Sequence, residues 1–132
     1  MKVLVIADVQ NDFCPGGALP VPEGDQVVPI INRLQAGFDL VLATQDWHPA
    51  NHGSFAANHP GRRPGEQIEL AGLPQILWPV HCVQNTPGAE LHAYFELIFS
   101  PSTVIAVSST RSTSPQPSDQ PARGSWPACA PS

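Results

Sequence analysis

VLVIADVQNDFCPGGAL, residues 3–19, begins as an unbroken apolar run from Val3 to Ala7 and drops at once onto Asp8. Polar Gln10, Asn11 and Asp12 follow, and Pro15-Gly16-Gly17 turns the chain. A short β-branched run without alternation has the pattern of a strand covered on both faces, the habit of parallel sheets. Ligand crevices in such sheets lie just beyond the carboxyl ends of the strands, which is where Asp8 stands. A carboxylate leaving a dry strand is costly to desolvate unless it is paired or used chemically. Asp8 therefore has two readings, a turn or capping residue and a site residue.

Working outward, Pro20 to Gly24 is a rigid connector, and Asp25 is placed to cap a helix over 26–36. Val27, Ile30, Ile31 and Leu34 recur there at helical spacing. Pro29 falls early enough for its missing N–H to be tolerated, and Gly37 supplies a stop. Asp39 to Gln45 reads as a second buried strand, and it too runs straight into an aspartate, Asp46. Strand, helix and strand with crossover length between them make a βαβ unit, hence an α/β domain with a parallel sheet. That topology puts Asp8 and Asp46 on one sheet edge.

Composition narrows the partners. The chain has 132 residues, 42% of them apolar, which suits one soluble domain. A net charge of −5 and a pI of about 5.3 give no basic footprint for nucleic acid or an anionic membrane. No apolar run reaches membrane-spanning length, and Met1-Lys2 leads directly into the first strand, so the expectation is a protein without signal peptide or membrane anchor. Cys14, Cys82 and Cys129 are odd in number and lack framework spacing, which points to a reducing, cytoplasmic setting.

From Trp47 to Leu73 periodicity disappears, and loops this long in compact domains are functional or disordered. Gln75 to Val80 is a short extended piece that delivers His81-Cys82-Val83, a Thr86-Pro87-Gly88 turn and a helical turn over 89–92. Asp46-Trp47-His48 places carboxylate and imidazole two residues apart, so in extended chain both point the same way. His52 follows four residues later, and His81 arrives from the separate apolar piece. One Asp with two or three His suits zinc, manganese or iron and leaves coordination positions open. The competing reading is a set of solvated or hydrogen-bonded loop residues, to which His59 and His92 are assigned.

Taken together, residues 8–19, Thr44-Gln45-Asp46-Trp47-His48-Pro49, Trp78-Pro79-Val80-His81-Cys82-Val83 and Thr86-Pro87-Gly88-Ala89-Glu90 resemble, in order and spacing, the nicotinamidases (pyrazinamidases) of the isochorismatase-like superfamily. The resemblance covers roughly residues 1–92. It implies a three-layer α/β/α fold around a parallel sheet, and hydrolysis of the small-molecule amide nicotinamide to nicotinate and ammonia in NAD salvage. By the same resemblance Asp8 is the aspartate that takes a proton from a cysteine nucleophile. Phe13 and Trp78 are walls of the ring pocket, and Asp46, His48 and His81, with His52 as a further candidate, are ligands of a divalent metal. Cys14 and Cys82 match positions that are not the nucleophile.

Amide hydrolysis also needs a thiolate, a group to lower its pKa and donors for the oxyanion. The family supplies a lysine after its next strand and a cysteine in a Gly-x-Ala-x-Asp-x-Cys-Val turn. Here the only lysine is Lys2, and Cys129 lies in Trp126-Pro127-Ala128-Cys129-Ala130-Pro131. Beyond about Glu96 the chain becomes rich in Ser and Pro, with Val104 to Val107 its one candidate strand. The expectation is a partial hydrolase domain over 1–97, incomplete in its C-terminal half, and a non-homologous disordered tail over 98–132 produced by a shifted reading frame. Such a chain is inactive as written. The alternatives are a non-catalytic relic that keeps at most a metal site, and a metal-free isochorismatase-type hydrolase.

Overall fold

A parallel sheet in the order β1-β2-β5 organises the chain in a computed structural model that describes residues 1–95 and, as backbone, 103–108. β1 (Val3–Ile6) and β2 (Leu40–Asp46) pair from Val3–Leu40 to Ile6–Ala43, and β5 (Thr103–Ser108) flanks β2 from Val41–Thr103 to Asp46–Ser108. The helix α1 (Val27–Leu34) makes the crossover between β1 and β2. β5 contains the candidate strand Val104 to Val107, so the sheet continues into the segment assigned by composition to the tail. The rest of that segment, including Cys129, lies outside the described residues.

The core forms on one sheet face. Ile6, Val41 and Ala43 are buried against Val28 of α1, with Val9 and Phe95 closing the cluster and Leu4, Ile31 and Leu91 packed on it. On the opposite face Val3 is 39% exposed and Val5 61% exposed. The expectation that β1 is covered on both faces is thus corrected among the described residues, because they supply a single α-helix to this sheet.

Of the expected stripe Val27, Ile30, Ile31 and Leu34, the helix turns only Ile31 to the core. Val28 and Gln35 are buried and Ile31 packs on the core, whereas Val27, Ile30 and Leu34 are each close to half exposed. Both stripes run at i, i+3, i+7, so spacing alone fits either. Asp25 does not cap: it lies in a 3-10 turn, Gly24–Gln26, and α1 begins at Val27 with no side-chain cap.

The long aperiodic segment holds an unexpected hairpin, β3 (Gln67–Leu70) and β4 (Leu73–Ile76), paired antiparallel. Its two-residue turn is Ala71-Gly72, with φ +52° and +80°, the type I′ geometry that fits the strand twist. Alanine where Asn or Asp is usual hid this turn. The turn expected over 89–92 is a 3-10 turn at Pro87–Ala89.

Candidate metal centre and active site

β2 carries Asp46 to the edge of the sheet, and the chain stays extended through His48. There the His48 N–H donates to the Cys82 carbonyl at 2.9 Å, and the Gln84 N–H donates to the His48 carbonyl at 2.9 Å. This strand-like pairing sets His81 beside His48, with ring centroids 5.1 Å apart. Asp46 Oδ2 lies 3.3 Å from His48 Nε2 and 3.9 Å from His81 Nε2. One ligand atom from each of Asp46, His48 and His81 falls within a 4.8 Å cluster. The fully buried Phe55 ring lies beneath, 5.5 Å from His48 and 5.4 Å from His81.

The donor chemistry fits a divalent cation. His81 Nδ1 is 2.7 Å from the Pro79 carbonyl oxygen, which can only accept, so the proton sits on Nδ1 and Nε2 offers a lone pair. Burial pushes the His48 imidazole below its ordinary pKa, against the opposing pull of Asp46, which keeps the ring neutral as a metal ligand requires. His48 Nδ1 is buried without a hydrogen-bond partner. It is Nε2, and not this atom, that faces the Asp46 carboxylate.

His52 does not join the cluster. Its ring stacks on His48 at 4.5 Å, and its Nδ1 faces the Ser54 hydroxyl at 2.6 Å. Trp78, 42% exposed, joins the three ligand candidates around a cleft of about 450 Å³ whose far wall is the β3–β4 hairpin, including Leu70, Leu73 and Pro74. A larger hollow of about 670 Å³ on another surface of the hairpin contains His59 and Arg62 and none of the candidate residues.

Asp8 has left-handed backbone, φ +53°, and its Oδ1 accepts the Thr44 hydroxyl at 2.7 Å. Its carbonyl accepts the Gln10 N–H at 2.8 Å, so Asp8 sits in a turn directly after β1. Phe13 links the two parts: its ring is 5.7 Å from that of His81, and it lines a smaller cavity, about 200 Å³, with Asp8 and Cys14. Cys14 and Cys82 are free and buried. Desolvation raises both thiols, with Asp25 adding at Cys14, and Cys82 is pushed up to about 12. Gln10 and Asp12, which sequence reasoning passed over, hydrogen-bond to the backbone of Asp46 and Cys82.

No protein-family model matches the chain. The nicotinamidase of Escherichia coli K12 is 57% identical over 95 residues, spanning 69% of this chain and 44% of that one. Over about its first two thirds the chain is a nicotinamidase homologue. It spans 44% of the length of that nicotinamidase and of the Acinetobacter baylyi one, to which it is 54% identical. Two solved nicotinamidase-type structures share its fold. The yeast nicotinamidase bound to the inhibitor nicotinaldehyde superposes with a TM-score of 0.76 at 32% identity, covering 86% of this chain and 59% of that one. The pyrazinamidase of Pyrococcus horikoshii in complex with zinc has a TM-score of 0.59 at 37% identity, covering 91% and 55%. The isochorismatase-like α/β class is therefore that of this chain, present in part.

Proposed function

We propose that this chain carries the metal-holding and ring-binding half of a nicotinamidase-type amide hydrolase, whose reaction turns nicotinamide and water into nicotinate and ammonia in NAD salvage. The observation that carries this reading is the Asp46–His48–His81 cluster, with His81 Nε2 left free by the Nδ1–Pro79 bond and with its neighbours Phe13 and Trp78. The zinc in the Pyrococcus pyrazinamidase and the nicotinaldehyde in the yeast nicotinamidase support it. Asp46, His48 and His81 would hold zinc, manganese or iron, with His52 buttressing His48 through its stacked ring. A bound ion would supply a Lewis-acidic centre for a ring nitrogen. Phe13 and Trp78 give the ring its apolar walls, and Asp8, oriented by Thr44, is the proton acceptor.

The same reading gives the 132-residue chain no turnover of its own. Its single lysine, Lys2, precedes β1, at the end of the strand away from Asp8. Burial raises the Cys14 and Cys82 thiols, which disfavours the thiolate that a nucleophile needs. Two free cysteines in the described core suit a reducing, cytoplasmic compartment. The test is zinc binding and ammonia release measured on one preparation of mass-verified protein with nicotinamide. Stoichiometric zinc without ammonia is expected. Ammonia release that disappears in Asp8→Ala would show a working enzyme, and absence of zinc binding would refute the metal site.

A further inference from the structure

The pairing of β1 with β2 ends at Ile6–Ala43, three residues before Asp46. Beyond that point the Gln10 side chain, fully buried, takes the place of a strand. The Asp46 N–H donates to Gln10 Oε1 at 2.8 Å, and Gln10 Nε2 donates to the Asp46 carbonyl at 2.8 Å. The second Nε2 hydrogen goes to the Ala89 carbonyl at 2.7 Å. Both amide hydrogens are thereby used, and both backbone groups of Asp46 are fixed by one carboxamide.

Two residues on, Asp12 does the same for the other part of the cluster. Its Oδ2 accepts the Cys82 N–H at 2.6 Å, and its Oδ1 accepts the Ala18 N–H at 3.1 Å. Cys82 has φ +46°, a left-handed conformation that a residue with a Cβ keeps only when its surroundings hold it there. The Cys82 carbonyl in turn accepts the His48 N–H, so this one residue adjoins His81 and is bonded to His48. Gly88 makes room for the arrangement, since a Cβ there would collide with the Asp12 carboxylate.

We infer that Gln10 and Asp12 are positioning residues that hold the two parts of the ligand set, Asp46 at the end of β2 and His81 with His48 around Cys82, in register for a divalent cation. The inference rests on the metal reading above and adds the device that sets its geometry. A charge-assisted bond to one part and a double amide pairing to the other come from a single turn, so a shift of that turn moves the ligands relative to one another.

The experiment uses the full chain, with zinc affinity measured by competition against a chromophoric chelator and the visible d–d spectrum recorded after loading with cobalt(II). Asp12→Ala and Gln10→Met are each expected to weaken zinc by about 10–100-fold and to change the cobalt bands. Asp12→Asn keeps one acceptor oxygen for the Cys82 N–H but loses the charge and turns its NH2 toward the Ala18 N–H, and is expected to weaken zinc less than Asp12→Ala. Gly88→Ala removes no polar group yet drives a methyl into Asp12, and is expected to reproduce Asp12→Ala. Folded Asp12→Ala and Gln10→Met proteins with wild-type affinity and spectrum overturn the inference. Should either fail to fold by far-UV circular dichroism, Gly88→Ala decides: weakened zinc with altered cobalt bands in that variant supports the inference, and wild-type affinity and bands overturn it. Asp46→Ala separates the two levels. Normal zinc binding in that variant refutes the ligand set itself, whereas its loss alongside normal positioning variants refutes only the positioning role.

Discussion

His81 turns its Nε2 toward Asp46 while its Nδ1–H donates to the Pro79 carbonyl oxygen, with Nδ1 and oxygen 2.7 Å apart. The tautomer that a metal ligand would need is therefore set by the chain two residues upstream. His81→Ala removes the ligand and the anchor together. The expected outcome is a folded protein that no longer binds zinc in equilibrium dialysis. Undiminished binding would remove His81 from the site.

Phe55 supports the imidazoles from below while fully buried. Phe55→Ala is expected to cost about 3–5 kcal/mol, comparable with the whole stability of a small domain. Urea unfolding measures it. A loss of well under about 1 kcal/mol would mean that the ring is not part of the cooperative core.

Ala71 holds φ +52° in the hairpin turn, where Gly72 follows at +80°. An alanine in this region is strained by about 1–2 kcal/mol, which Asn relieves in part. Ala71→Asn should raise the thermal midpoint without changing the zinc affinity. A lowered midpoint would contradict the type I′ turn.

Desolvation, reinforced by Asp12, pushes the Cys82 thiol up to about 12. Native protein at pH 8 should leave Cys82 unmodified by iodoacetamide, whereas denatured protein should label fully, as read by peptide mass spectrometry. The sign for stability follows from linkage. The unfolded chain loses this proton near the ordinary thiol value while the folded chain keeps it, so the contribution is whole below that value and is lost as pH rises toward about 12. Rapid native labelling at pH 8 would disprove the burial.

A shifted reading frame is tested on the coding DNA downstream of the His92 codon. One of the other two frames is expected to encode a Lys-Gly strand end and an Ala-x-Asp-x-Cys-Val turn. If neither frame does, the non-catalytic relic is the better account.

The sequence by itself determined the parallel βαβ unit, the two aspartates at its strand ends, and the candidate ligands Asp46, His48, His52 and His81. Apolar runs and helical spacing are local, and the motif blocks keep their order and intervals in the chain. Tertiary structure alone decided which side of α1 is buried, because Val28 and Ile31 share the spacing of Val27, Ile30 and Leu34 and only packing in the core with Val41 and Ala43 separates them. It also decided that His52 takes Ser54 as a partner and stacks on His48 instead of joining the cluster. The supports of the site were invisible for the same reason. Gln10 reaches Asp46 across 36 residues and Asp12 reaches Cys82 across 70, and a hydrogen bond between distant residues leaves no periodic trace along the chain.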